Sequence, residues 1–216
     1  MNCWMIFVSL ANIDFGAVLN CLQHETHAEI RLDKLSLTVK QVTEIFNKPC
    51  NLIATCRPGT YTDRQRKKLL KAAVDGGAKF IDIEIESKTG FIREMVTYAN
   101  EHDCGIIISH HDYHETPSID KLEAITRKCF KYGATVAKVV TMINSDVDRA
   151  KILSLYSLGK NIVAFGMGEK GKLTRILSLP MGAPFTYASP DQGMETAPGQ
   201  LDRKTMEEKI NLLNLI

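Results

Sequence analysis

Residues 105–140 read GIIISHHDYHETPSIDKLEAITRKCFKYGATVAKVV. An apolar, β-branched run at Gly105–Ser109 is followed by a helix-period stretch at Ser118–Tyr132. Gly133 stops that helix, and a second apolar run follows at Thr135–Val140. Ser118, directly after Pro117, offers a side-chain oxygen to the first free N–H groups of the helix. Strand, helix and strand in this order predict two parallel strands joined by a right-handed crossover.

The same alternation extends in both directions. Strands are expected at Ile6–Leu10, Ala28–Leu32, Asn51–Cys56 and Phe80–Ile85 before this unit, and at Ile162–Phe165 and Phe185–Ala188 after it. Helical periods are clearest at Asp63–Gly76, Phe91–Glu101 and Ser145–Leu158, with Asp63 as a cap and Gly76-Gly77 and Gly159 at stops. Eight such units suit a single-domain (β/α)₈ barrel spanning residues 1–216. An open doubly wound sheet has the same period. However, no G-x-G-x-x-G follows the first strand, so the usual dinucleotide fingerprint is missing. The one extended irregular segment, Ala188–Gly199, is a candidate lid.

Bulk composition narrows the function. The 27 Lys and Arg nearly balance the 25 Asp and Glu, which gives no electrostatic case for nucleic acid or an anionic membrane. The basic run Arg64–Lys68 reads as the solvated face of a helix. Cys3, Cys21, Cys50, Cys56, Cys104 and Cys129 are scattered without C-x-x-C spacing, as expected of reduced thiols in a cytoplasmic protein. The apolar opening at Met5–Ala11 is too short to span a bilayer and reads as a first core strand.

Lys138 carries the most chemical information. Alternation puts Val136, Lys138 and Val140 on one strand face, the interior of a barrel. Desolvation disfavours an ammonium there, so a nucleophilic amine near neutral pH is expected. A strand-end lysine reaching water, or a buried ion pair, is the alternative. The run Ser109-His110-His111-Asp112-Tyr113-His114 follows strand five, where barrel enzymes place their chemistry. A histidine there suits general acid–base work. Three histidines in five positions also raise a metal site, although no second cluster completes the coordination.

Glu29 and Arg31 share one face of strand two, Arg57 follows strand three, and Arg175 follows the loop Gly166-Met167-Gly168. Arginine offers a fork for a substrate carboxylate; structural ion pairs inside the barrel are the alternative. Asp82 and Glu84 repeat the pattern, and for them the structural reading is preferred.

Together these segments resemble type I 3-dehydroquinate dehydratases over nearly the full length. The resemblance rests on Val8-Ser9-Leu10, Glu29-Ile30-Arg31, Thr55-Cys56-Arg57, Ile81-Asp82-Ile83-Glu84 and Ser109–Tyr113. It continues through Ala137–Met142, Met167-Gly168 with Arg175, and Thr196-Ala197-Pro198-Gly199-Gln200. It implies a (β/α)₈ barrel that is commonly a homodimer, needs no metal or organic cofactor, and acts on 3-dehydroquinate. It further implies Lys138 as the imine-forming residue and His111, immediately before Asp112, as the proton shuttle. Ser9, Glu29, Arg31, Arg57, Arg175, Thr196 and Gln200 match substrate-contacting positions. Thr196 stands where Ser is usual, a mild change of hydroxyl. Tyr61 stands where the family often has a Glu near the histidine, leaving Glu84, Glu86 or Asp112 as candidates to orient His111. Another lysine-imine barrel such as a class I aldolase, a metal-dependent hydrolase, and a barrel that only binds a polyhydroxy acid are the competing readings.

Overall fold

The computed structural model describes residues 4–159 and 161–213, so Cys3 lies outside the described residues. Eight parallel strands alternate with helices: β1 (Ile6–Leu10), α1 (Phe15–Leu22), β2 (His27–Arg31), α2 (Val39–Phe46), β3 (Asn51–Thr55), α3 (Asp63–Asp75), β4 (Phe80–Glu84) and α4 (Thr89–Asn100). They continue as β5 (Gly105–Asp112), α5 (Ile119–Lys131), β6 (Val136–Met142), α6 (Asp146–Ser154), β7 (Ile162–Met167), α7 (Lys172–Ser178), β8 (Thr186–Ala188) and α8 (Arg203–Leu213). The ladder runs β7-β6-β5-β4-β3-β2-β1-β8, which makes the sheet a nearly closed (β/α)₈ barrel.

Alternation along each strand builds two separate cores. Outward residues such as Val8, Ile30, Ala54, Ile81, Ile108 and Val139 pack against the helices. Inward residues Phe7, Ile53, Ile107, Val136, Val163 and Phe185 fill the lower barrel as an apolar plug. Above that plug the inward positions turn polar: Ser9, Glu29, Thr55, Asp82, Ser109 and Lys138 are all buried. The change in chemistry up the barrel axis marks the mouth as the functional end.

Four details depart from the sequence reading. Thr62, not Asp63, caps α3: its hydroxyl accepts from the Gln65 amide, and Gln65 reaches back to the Thr62 N–H. Asp63 instead pairs with Arg66 at 3.0 Å. Arg66 is buried rather than solvated, because its Nε donates to the Cys56 carbonyl at 2.9 Å and its guanidinium lies over the Phe91 ring. The expected helix at 145–158 ends at Ser154 and tightens into a 3₁₀ turn at Leu155–Leu158. Finally, β5 runs to Asp112 rather than Ser109, which keeps His110 and His111 under strand alternation.

Among the described residues no ladder joins β7 to β8, and the loop after β8 bridges this seam. The Gly168 amide donates to the Pro198 carbonyl at 3.1 Å. Gly199 has φ +73°, and a Cβ there would lie 2.2 Å from the Gly168 carbonyl oxygen, so only glycine fits this crossing. The far end is fastened by the Ser189 amide to the Leu201 carbonyl and the Arg203 amide to the Ser189 carbonyl, both 2.9 Å. The candidate lid is thus tied at both ends, with Thr196 and Gln200 held over the mouth.

Candidate active site

All the residues nominated from the sequence, Ser9, Glu29, Arg31, Arg57, His111, Lys138, Arg175, Thr196 and Gln200, line one cavity at the C-terminal ends of the strands. Register explains the central pair. On β5 and β6 Ser109 lies opposite Lys138 and His111 opposite Val140, so Lys138 and His111 face the same interior two positions apart along the axis.

Lys138 is 5% exposed. Its Nζ donates to Asp82 Oδ2 at 3.0 Å, lies 3.9 Å from Glu29 Oε1, and sits 4.0 Å from the centre of the Tyr187 ring. The buried amine is thus faced by two carboxylates rather than by apolar side chains alone. Asp82 is the hub. It also accepts from Ser109 Oγ at 2.5 Å and from Arg57 at 3.2 Å. Burial disfavours its charge, yet Arg57, Lys138 and the Ser109 hydrogen bond outweigh this and hold its carboxyl below the usual range. The sequence pattern favours a structural role for Asp82, whereas its inward parity on β4, near the level of Ser109 and Lys138, brings it into the site.

The other carboxylates and hydroxyls form a second chain. Glu29 accepts from Ser9 Oγ and Thr55 Oγ1, both at 2.7 Å. Gln200 Nε2 reaches Ser9 Oγ at 3.4 Å, while its Oε1 accepts from the Thr196 amide at 2.7 Å and the Thr196 hydroxyl at 3.0 Å. The lid is thereby connected to the barrel floor of the site. Arg31 is committed to Asp33 through a two-pronged bond of 3.1 and 2.8 Å.

Arg175 differs from every other cation in the cavity. It is 2% exposed, its Nε has no hydrogen-bond partner, and no carboxylate lies within ion-pair distance among the described residues. Its guanidinium rests over the Phe165 ring, and burial lowers its pKa to about 10. A buried cation without a counter-charge is costly, and an anionic ligand would relieve that cost.

His111 is squeezed between Arg57 and Glu84. Arg57 approaches its Nε2 at 3.4 Å, and Glu84 Oε1 lies 3.5 Å from its Nδ1. Burial first, then the positive charges of Arg57 and Lys138, push its pKa well below 6.5, so the resting imidazole is neutral. The three histidines diverge: His110 turns outward to Glu86 at 2.5 Å, while His114 lies on the exposed turn. Among the described residues no group of three or more His, Cys, Asp or Glu side chains is arranged to hold a metal ion.

A family model described as type I 3-dehydroquinase matches residues 17–216. The chain belongs to the type I 3-dehydroquinase family. It is 38% identical to a 3-dehydroquinate dehydratase of Methanococcus maripaludis strain C5, over 97% of this chain and 100% of that one. It is 40% identical to a 3-dehydroquinate dehydratase of Methanocaldococcus jannaschii, over 87% of each chain. In fold it is similar to the crystal structure of 3-dehydroquinate dehydratase from Geobacillus kaustophilus. The TM-score is 0.87 at 20% identity, over 99% of this chain and 92% of that one.

Within this type I dehydroquinase, the candidates for orienting His111 separate cleanly. Tyr61 points its hydroxyl to the Leu35 carbonyl at 3.3 Å and does not line the cavity. Glu86 is taken by His110. Asp112 turns back to accept from the His114 and Glu115 amides at 2.9 and 3.0 Å. Glu84 alone of the three approaches the imidazole of His111.

Proposed function

We propose that this enzyme removes water from 3-dehydroquinate to give 3-dehydroshikimate, a shikimate-pathway dehydration, through an imine on Lys138 with His111 as base and then acid. The observation that carries this reading is the meeting of three groups in one cavity: a buried primary amine, a neutral imidazole and an arginine with no counter-charge among the described residues.

Deprotonation beside a ketone is difficult because charge builds on the carbonyl oxygen. Condensation of the Lys138 amine with that ketone releases water and leaves a protonated imine, which accepts the electron pair as the adjacent C–H bond breaks. Asp82 holds the Lys138 amine at 3.0 Å and orients it for attack. His111 receives the proton from carbon. It returns that proton to the departing hydroxyl at the next carbon, which leaves as water. A second water hydrolyses the imine and regenerates the amine. The sequence needs no metal or organic cofactor.

Arg175 holds the substrate carboxylate in this reading, and Ser9, Thr196 and Gln200 face its hydroxyls. Glu29, Arg31 and Arg57 shape the remaining wall. An arginine kept buried for a ligand should favour binding at the expense of stability. Arg175→Met is expected to lower kcat/KM by roughly ten- to 150-fold, the loss of one charged hydrogen-bonded contact of about 1.5–3 kcal/mol. Its melting temperature should hold or rise, since an uncompensated cation leaves the interior. A fall in both quantities would assign Arg175 to the scaffold.

The direct test of the imine is borohydride reduction in the presence of 3-dehydroquinate, followed by peptide mass mapping. The expected adduct sits on Lys138. Active enzyme that yields an adduct elsewhere, or none, sinks the assignment. The same reading includes a cytoplasmic homodimer; Ile119 and Phe130 on α5 and Val147 on adjacent α6 offer exposed apolar surface for self-association. Sedimentation velocity measures the oligomeric state. Among the described residues no helix is long and apolar enough to cross a membrane.

A further inference from the structure

We propose that Glu84 is the positioning residue of His111, selecting the imidazole tautomer that carries its proton on Nδ1 and leaves Nε2 as the basic atom. The proposal rests on the assignment of His111 as the proton shuttle, and goes beyond it in naming the reactive nitrogen and the group that selects it.

The two faces of the ring give the same answer independently. An arginine can only donate, and Arg57 stands at Nε2 at 3.4 Å. That nitrogen must therefore present its lone pair. A carboxylate can only accept, and Glu84 Oε1 stands at Nδ1 at 3.5 Å. Nδ1 must then carry the hydrogen. The Nδ1 atom is buried and has no aligned hydrogen-bond partner among the described residues, so an N–H there is left with the Glu84 carboxylate beside it. Such a group is costly to leave unmet, and a small rotation of Glu84 satisfies it.

Glu84 is able to make that adjustment. Its other contact is Arg57 at 3.1 Å, and its side chain is 20% exposed. Arg57 does not depend on Glu84 for its place, being held also by Ser109 Oγ at 2.8 Å and Asp82 at 3.2 Å. Glu84 follows Asp82 by two residues on β4 and shares its inward face, while Ser109 and His111 repeat the spacing on β5. The ladder pairs Glu84 with Ser109, one level below His111, so its side chain rises toward the ring.

The charge of Glu84 matters as much as its lone pairs. The groups around His111 are mostly positive: Arg57 after β3, Lys138 on β6, His110 beside it and Arg31 on β2. Tyr113 stacks on the ring at 6.2 Å. All four cationic or protonatable neighbours resist an imidazolium. Glu84 is the carboxylate that faces the ring from the remaining side and stabilises the charge formed when Nε2 takes a proton. A protonated His111 would then donate from Nδ1 to Glu84 while delivering its Nε2 proton to the leaving hydroxyl.

Two measurements decide the proposal. In wild-type enzyme, ¹⁵N NMR of labelled histidine should report a neutral His111 with hydrogen on Nδ1. The Nε2-protonated tautomer would overturn the proposal whatever the variants do. Glu84→Gln keeps the shape, but removes the charge and offers an amide donor that can hold the ring in the wrong tautomer. Its kcat should fall at least tenfold, toward the ~10⁴-fold loss that an Asp→Asn exchange behind a catalytic histidine can produce. KM should change little, and the acid limb of the kcat profile should move to lower pH. Borohydride trapping on Lys138 should persist, because imine formation precedes the histidine's step. Wild-type kcat and an unmoved limb in Glu84→Gln would refute the role of Glu84. Absence of the Lys138 adduct in wild-type enzyme would instead refute the underlying reading.

Discussion

Replacing Lys138 by methionine is expected to leave a folded protein with no measurable turnover of 3-dehydroquinate. Without the amine no imine forms, and the proton beside the ketone must be removed against charge building on an oxygen. The stability of the variant follows from the charges around Asp82. Breaking a buried pair by deleting one partner costs about 3–5 kcal/mol when nothing else meets the stranded charge. Here Arg57 remains 3.2 Å from the same Asp82 oxygen, and Ser109 still donates to the other at 2.5 Å. The loss should therefore fall short of that range, and methionine fills the volume of the lysine stem. Circular dichroism should show a native spectrum with a lowered melting temperature, and borohydride should leave no adduct at position 138. Residual turnover within a few-fold of wild type would remove Lys138 from the chemistry.

His111→Ala should lower kcat by ~10²–10⁴-fold, the usual range for loss of a general acid–base group. Imine formation should survive, so the adduct on Lys138 should still be trapped by borohydride. That combination separates the two residues into successive steps. The pH dependence follows from the same environment. Burial, reinforced by Arg57 and Lys138, lowers the His111 pKa in the folded protein. The unfolded value is about 6.5, so below that pH the unfolded chain binds a proton that the native state refuses. This contribution to stability is complete above about pH 6.5 and is lost as the pH falls toward the depressed native value. Wild type should accordingly lose melting temperature on acidification below pH 6.5, and His111→Ala should lose less over the same window. Identical acid slopes for the two proteins would contradict the buried, neutral histidine.

The barrel was largely legible in the chain, because the direction of a side chain along a strand is a local property of the backbone. Apolar runs and glycine stops located all eight strands, and parity alone turned Lys138, Glu29 and Arg31 inward. Thr62 was missed as a cap because Asp63 is equally good by residue type; only the reciprocal bonds with Gln65 distinguish them. Arg66 was missed because its neighbours in sequence are solvated, whereas its guanidinium finds the Cys56 carbonyl and the Phe91 ring.

The charge arrangement at the mouth had no such local signature. The sequence displayed Arg31, Arg57 and Arg175 as three similar cations. Folding gives Asp33 to the first, Asp82 and Glu84 to the second, and, among the described residues, no carboxylate to the third. Lys138 meets Asp82 from a position 56 residues away in the chain. Such pairings depend on strand register and barrel closure, and electrostatic energy depends on distance in space rather than along the chain. Alternation could bring strand charges to the interior; strand register and the packing of the elements around the mouth chose the partners, and left Arg175 with no carboxylate among the described residues.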